Sequence, residues 1–279
     1  MLTMLFNKMV KKMLNRRKQI KQVRKQLQAH THKNYVVTIP LVDYALDGFK
    51  INEGVFRADI MTSSLFLARF LNRMRNIYKG NRVVDMGCGS GLQGIVMAVC
   101  GAQDVVFSDV SFAAVENTRE NIANFASTFG KLGKSMSAQP DLFEKPCTTT
   151  VIQGDLFENV SGKFDFIIFN HPFFAINFDA DQSVSRTMLD QGELIHFFLQ
   201  EAREHLSNGG GIIMPFWHFA GETNNPELNA KRLGYGVVDM RTDELEDVHY
   251  GIQSGRFSLF GIFERTVPEW VLRRNHTEF

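Results

Sequence analysis

The sequence predicts an α/β fold built on a doubly wound, mostly parallel sheet, and three observations carry that prediction. From Arg82 onward, short β-branched and aromatic runs alternate with stretches of helical periodicity. The first of these runs ends in alternate glycines, and in open sheets of this kind ligands bind beyond the carboxyl ends of the strands. The last two runs, 235–240 and 257–264, have no clear helix between them and read as a terminal antiparallel pair. Parallel strands are expected near 83–86, 105–108, 151–153, 166–169 and 212–215, with crossover helices near 92–99, 112–125 and 193–206, which makes seven strands in all.

In chain order, the first unit is a basic head over residues 1–34, with ten Lys/Arg and no Asp/Glu. Leu2, Phe6, Met9, Met13, Ile20, Val23 and Leu27 fall largely three, four and seven apart, so they trace one stripe of an amphipathic helix. Such a helix packs on its own body or contacts an acidic partner or nucleic acid; an anionic membrane surface and organelle targeting are further readings. Residues 35–80 come next as a hairpin around the turn signal Asp47-Gly48 and a helix over 60–74, packed on a ligand-binding domain over 81–279.

Composition sets the outer limits. A chain of 279 residues, 44% hydrophobic, can bury one large core. The net charge of +1 hides an asymmetry, because after the head 21 basic residues face 30 acidic ones and the body carries about −9. No apolar run approaches the roughly 18 residues of a membrane span. The opening stretch is broken by Asn7 and Lys8 and does not read as a secretory signal. Cys88, Cys100 and Cys147 form neither a disulfide framework nor a zinc set, so a reducing, cytoplasmic setting and no metal are expected.

The segment VVDMGCGSGLQG, 83–94, runs from a buried strand through alternate glycines into a helix. Glycines permit tight turning and let the backbone approach a ligand with no Cβ in the way. Two patterns fit. Gly89, Gly91 and Gly94 satisfy the dinucleotide fingerprint of an NAD-binding oxidoreductase, while Asp85, Gly87, Gly89 and Gly91 satisfy the pattern of S-adenosylmethionine enzymes. Asp109, at the tip of the second strand, suits the ribose of either cofactor, and an ordinary turn with the acid at the next helix start is the plain alternative.

Two later motifs separate the cofactors. The third strand ends in Gln153-Gly154-Asp155-Leu156-Phe157, with one carboxylate and apolar side chains where an adenine would lie, and the fourth strand, FDFIIF, runs into Asn170-His171-Pro172-Phe173-Phe174. Together with LDGFKINEGVFRADIMTSSLFLARFL before the glycines and LDQGELIHFFLQEAREHLSNGGGIIM after the loop, these motifs cover most of 44–265. Over that span the chain resembles the N-directed methyltransferases with an Asn-Pro-Pro-Tyr-type loop, especially the release-factor glutamine methyltransferases and their small-domain relatives.

The resemblance implies a Rossmann-like fold and S-adenosyl-L-methionine as cofactor. Asp85, Gly87, Gly89 and Gly91 would surround its methionine part, Asp109 its ribose, and Asp155 with Leu156 its adenine, with Thr62 closing the pocket. It implies methyl transfer to a planar amide or amine nitrogen, protein glutamine being the leading acceptor. The Asn170 oxygen and the backbone carbonyl of residue 171 would hold the acceptor's hydrogens, Pro172 would aim that carbonyl, and Phe173 would stack on the target. The chain departs from the family with His171 in place of proline and Phe173 in place of tyrosine, so an RNA base or a small molecule stays open as acceptor. The His171 ring either faces solvent, caps a carbonyl or takes part as proton acceptor or substrate ligand. Residues 174–190, with the stretch FDADQ, are expected to form a mobile lid or substrate wall. A cofactor-binding module without catalysis is the remaining reading.

Overall fold

The computed structural model describes residues 2–131, 146–176, 187–246 and 254–272. Nine strands and seven α-helices alternate among these: α1 (Leu2–Ala29), β1 (Tyr35–Pro40), β2 (Ala45–Ile51), α2 (Thr62–Arg73), β3 (Arg82–Met86), α3 (Leu92–Val99), β4 (Asp104–Asp109), α4 (Phe112–Phe125), β5 (Thr148–Gln153), β6 (Phe164–Phe169), α5 (Glu193–His205), β7 (Leu206–Trp217), α6 (Pro226–Arg232), β8 (Gly236–Leu245), β9 (Gly255–Phe263) and α7 (Glu269–Leu272).

The main sheet has seven strands in the order β5-β4-β3-β6-β7-β9-β8. β3 to β7 run parallel, and β9 is antiparallel to both β7 and β8. This is the Rossmann-like arrangement that the alternation of elements predicts, with the terminal antiparallel pair in place. The order reverses between β3 and β6, and at such a switch point the crossovers leave to opposite sides and open a crevice at the carboxyl edge. The central strands read as continuous apolar runs because helices cover both faces: Val83, Val84, Phe107, Ile167, Ile168, Ile212 and Met214 are all sequestered from solvent.

The small sheet corrects one expectation. The chain reverses at 41–44, where Leu41 N donates to the Tyr44 carbonyl at 2.8 Å, and Asp47-Gly48 lies within β2. There the register shifts between Val37 and Ile39, and Gly48 sits at φ +80°, so the Asp-Gly pair forms a bulge rather than the turn. The bulge brings the Gly48 carbonyl to the Nδ2 of Asn124 on α4, at 3.0 Å. Neighbouring positions on that helix repeat the device, Asn121 and Asn117 bonding the backbone of Lys50 and Asn52. The hairpin is thus held to the sheet's flank by an asparagine row.

α1 is helical as expected, but only part of its apolar stripe packs. Val23 and Leu27 are buried and Ile20 partly so, whereas Met13 is 53% exposed. Arg57 donates to the Ala29 carbonyl at 3.1 Å and ties off the helix's C-terminal end. Among the described residues, no helix is long and apolar enough to cross a membrane.

Candidate active site

Loops at the carboxyl ends of β3, β4, β5 and β6 surround a cavity of about 580 Å³, within the ~300–1,000 Å³ of small-ligand sites. Asp85, Gly87 and Gly89 line it from β3 and its loop, Asp109 from β4, Asp155 and Leu156 from β5, and Asn170 with Pro172 from β6.

The glycine loop is shaped by demands that differ at each position. Gly87 and Gly89 have φ of +61° and +57°, a region that costs other residues energy. A Cβ at Gly89 would meet nothing within 4 Å, so the space beside it belongs to the cavity. Gly91, at φ +82°, stands at the start of α3 beside Thr118, between the cavity-lining Ser90 and Leu92. At Gly94 a Cβ would lie 2.1 Å from Phe107 Cε1, so that glycine exists to let α3 pack on β4. The third glycine of the dinucleotide fingerprint is accounted for by packing alone.

Asp85 and Asp109 are held by backbone. Asp85 is buried and accepts from Gly94 N at 2.8 Å; desolvation, with the Asp109 charge nearby, pushes its carboxyl up to about 8. Asp109 accepts from Gly89 N and Ser111 N, both at 2.9 Å. It therefore fixes the glycine loop and the start of α4 while keeping lone pairs for a ligand. Burial raises its pKa as well, against those two bonds. Leu156 is the one non-glycine among the described residues at positive φ, +47°, with its carbonyl accepting from Ser108 Oγ at 3.2 Å. A strained residue beside the cavity is the pattern of a ligand contact.

The loop after β6 divides its side chains between two compartments. Asn170 lines the cavity and donates from Nδ2 to Ser64 Oγ at 2.9 Å. His171 turns the other way: 3% exposed, it stacks on Phe216 and its Nε2 meets the Asn224 carbonyl at 2.8 Å. Desolvation lowers its pKa to about 4, so the ring is neutral and caps a carbonyl. Phe173 does not line the large cavity; it packs edge-on against His171 and Phe216 and is 6% exposed. Asn224 binds the carbonyls of Pro172 and Asp190 and staples this loop to the segment that leads into α5. The FDADQ stretch lies outside the described residues.

Thr62 is not at the cavity. It faces a separate groove with Arg69, Phe66 and Arg241, because the first turn of α2 directs Ser63 and Ser64 inward instead. The wall assigned to Thr62 is supplied by Gly54, Val55 and Phe56, just after the hairpin. Their sequence signal was slight, a glycine before two apolar residues inside the EGVFRAD stretch.

The residues fit S-adenosylmethionine: open backbone at Gly89, an acid at the end of β4, and a carboxylate and a leucine at the end of β5, all around one cavity. The fold and this cavity define the class, the S-adenosylmethionine-dependent methyltransferases of Rossmann-like fold. Within it, residues 48–225 match the methyltransferase small domain, and the chain belongs to that family. It is 31% identical over 139 residues to a Methanocaldococcus jannaschii protein that carries the name of a protein N5-glutamine methyltransferase, covering 48% of this chain and 60% of that one. It is 29% identical over 150 residues to ribosomal RNA small subunit methyltransferase C of Haemophilus ducreyi, covering 54% and 36%. The chain thus spans less than two thirds of either relative. Among solved structures, a T. thermophilus 16S rRNA N2 methyltransferase bound to AdoMet and guanosine superposes with a TM-score of 0.56 at 18% identity, over 84% of this chain and 51% of that one. A ribosomal protein L11 methylase from Lactobacillus delbrueckii subsp. bulgaricus gives 0.50 at 18% identity, over 84% and 99%. At such identity the likeness is one of fold.

Proposed function

We propose that the chain transfers a methyl group from S-adenosylmethionine to a planar amide or amine nitrogen, with a protein glutamine side chain as the leading acceptor. The observation that carries this reading is that Asn170, the glycine loop and the acids at the ends of three strands share one cavity. Asp85, Gly87 and Gly89 would hold the methionine part of the cofactor, Asp109 the ribose, and Asp155 with Leu156 the adenine. When bound, the cofactor supplies an electrophilic methyl carbon on a positively charged sulfur.

Transfer would form the new N–C bond from the acceptor nitrogen's lone pair while the methyl carbon's bond to sulfur breaks and leaves its electron pair on sulfur, and the nitrogen would then lose one proton to solvent. Such a displacement needs alignment more than acid chemistry. Asn170 Oδ1 and the backbone carbonyl of residue 171 are the acceptors assigned to the nitrogen's hydrogens, favouring a lone pair aimed at the methyl carbon as positive charge develops. The Pro172 carbonyl is already taken by Asn224. The neutral, buried His171 ring serves the loop's shape, not proton transfer.

An RNA base is the second reading, favoured by the exposed Arg16, Arg17, Lys18 and Lys21 of α1. The three cysteines are free, which suits a cytoplasmic setting. The test is transfer of labelled methyl to fractionated protein, RNA and metabolite pools, with Asn170→Ala as control. Label in the protein pool supports the leading reading; label in RNA that falls when those four basic residues are neutralised moves the assignment to the second.

A further inference from the structure

The N-terminal helix reaches the acceptor loop. Val23 and Leu27 anchor α1 on the body, and between them the helix buries Gln26, 1% exposed, in a stripe where any aliphatic side chain would pack. Gln26 lines a small chamber of about 20 Å³, whose walls include Ser63, Asn170, His171, Phe173 and Thr187. Asn170, Thr187 and Phe56 border both this chamber and the large cavity, so the chamber lies directly beyond the asparagine assigned to the reaction. The Nε2 of Gln26 is buried and has no hydrogen-bond partner among the described residues. An unsatisfied buried donor lowers stability, so this Nε2 is matched by an oxygen acceptor, of a water or of a ligand, entering the chamber.

We propose that this chamber is the oxygen subsite of the acceptor pocket, and that Gln26 is a specificity-determining residue donating from Nε2 to the carbonyl oxygen next to the nitrogen that is methylated. The inference rests on the methyl-transfer reading. In a carboxamide, nitrogen and oxygen share one carbon, so an acceptor whose hydrogens are held at Asn170 carries its oxygen to a neighbouring wall. A space of about 20 Å³ has room for a water or the tip of a carbonyl. A site built to bond an oxygen rejects analogues that lack it far more strongly than an apolar pocket rejects a missing methylene. The acceptor class is therefore the carboxamide, in preference to the plain amine. α1, read from sequence as a basic amphipathic helix that packs on its own body or contacts a partner, becomes part of the site.

The experiment tracks the side-chain amide resonance of Gln26 in the full chain saturated with S-adenosylhomocysteine, assigned by its loss in Gln26→Met, while acetamide or ethylamine is added. Methionine keeps the unbranched length and removes the donor. Acetamide is expected to move the Gln26 resonance and ethylamine to leave it in place. Gln26→Met should weaken acetamide binding at least tenfold and raise KM for the pool that the wild type labels, with S-adenosylhomocysteine affinity retained and melting temperature retained or raised. An unmoved resonance in saturating acetamide overturns the subsite, as does a Gln26→Met chain that loses melting temperature yet transfers methyl with wild-type KM. A resonance moved by acetamide with no pool labelled by the wild type supports the subsite and overturns the methyl-transfer reading instead.

Discussion

Asn170 donates from Nδ2 to Ser64 Oγ at 2.9 Å, a bond from the end of β6 to the first turn of α2. With Nδ2 turned to the helix, Oδ1 is the end left for the cavity. Gln93 Nε2 donates to the Ser64 carbonyl at 3.1 Å, so the same serine is also tied to α3. Three elements thus converge on the orientation of one side chain.

Asn170→Ala is expected to lower the rate of methyl transfer about 10²–10³-fold, the scale of losing one preorganised polar contact to a transition state, while cofactor affinity stays unchanged. Ser64→Ala should lower kcat about fivefold, because a typical hydrogen bond is worth roughly 1 kcal/mol. Calorimetry with the cofactor beside a labelled-methyl assay checks both, and cofactor affinity lost in step with rate would refute the assignment.

Two glycines of one motif should fail in different ways. Gly94→Ala drives a Cβ to 2.1 Å from the Phe107 ring and should destabilise the chain by about 1–3 kcal/mol or more. Gly89→Ala meets no atom within 4 Å and should cost only the ~1–2 kcal/mol of a left-handed alanine, yet weaken cofactor binding. Thermal melts with and without S-adenosylhomocysteine separate the two. Thr62→Val, facing the other groove, should leave cofactor binding unchanged.

Asp85 should make the cofactor-free chain less stable as pH rises. Its carboxyl titrates at about 8 in the fold and near ~3.9 unfolded, so between those values the folded chain binds more protons. Stability from this group is full below about pH 4 and is lost as pH climbs through about 8. Asp85→Asn should flatten the melting temperature between pH 6 and 8; an unchanged slope would show that Asp85 is ionised in the fold.

His171 and His30 act in the opposite direction. Burial lowers both to about 4, below the ~6.5 of a free imidazole. Their contribution is present above pH ~6.5 and is lost as pH falls toward about 4. Over that interval the histidines and Asp85 oppose each other, so single variants, not the wild-type curve, separate them. His171→Gln should flatten the loss of melting temperature from pH 7 to 5. It should also leave the pH profile of methyl transfer from 5 to 8 unaltered, since a buried ring bonded to the Asn224 carbonyl moves no proton.

The sequence by itself determined the sheet and the order of the chemistry along its edge. Short apolar runs alternating with helical periodicity, and glycine spacing, are local signals. Because strands of a parallel sheet end at one edge, Asp85, Asp109, Asp155 and Asn170 had to arrive together. Only the tertiary structure decided direction. Whether Thr62 or Ser64 faces inward depends on which side of α2 meets α3, and whether His171 joins the cavity depends on Asn224 and Phe216, distant in sequence. The Asp47-Gly48 pair carried a turn signature that pairing across the hairpin converted into a bulge. Gln26 had no signature, because a glutamine on a basic helix reads as solvated until packing buries it beside Asn170. Spacing fixes where a side chain starts, and only contacts between remote segments fix where it points.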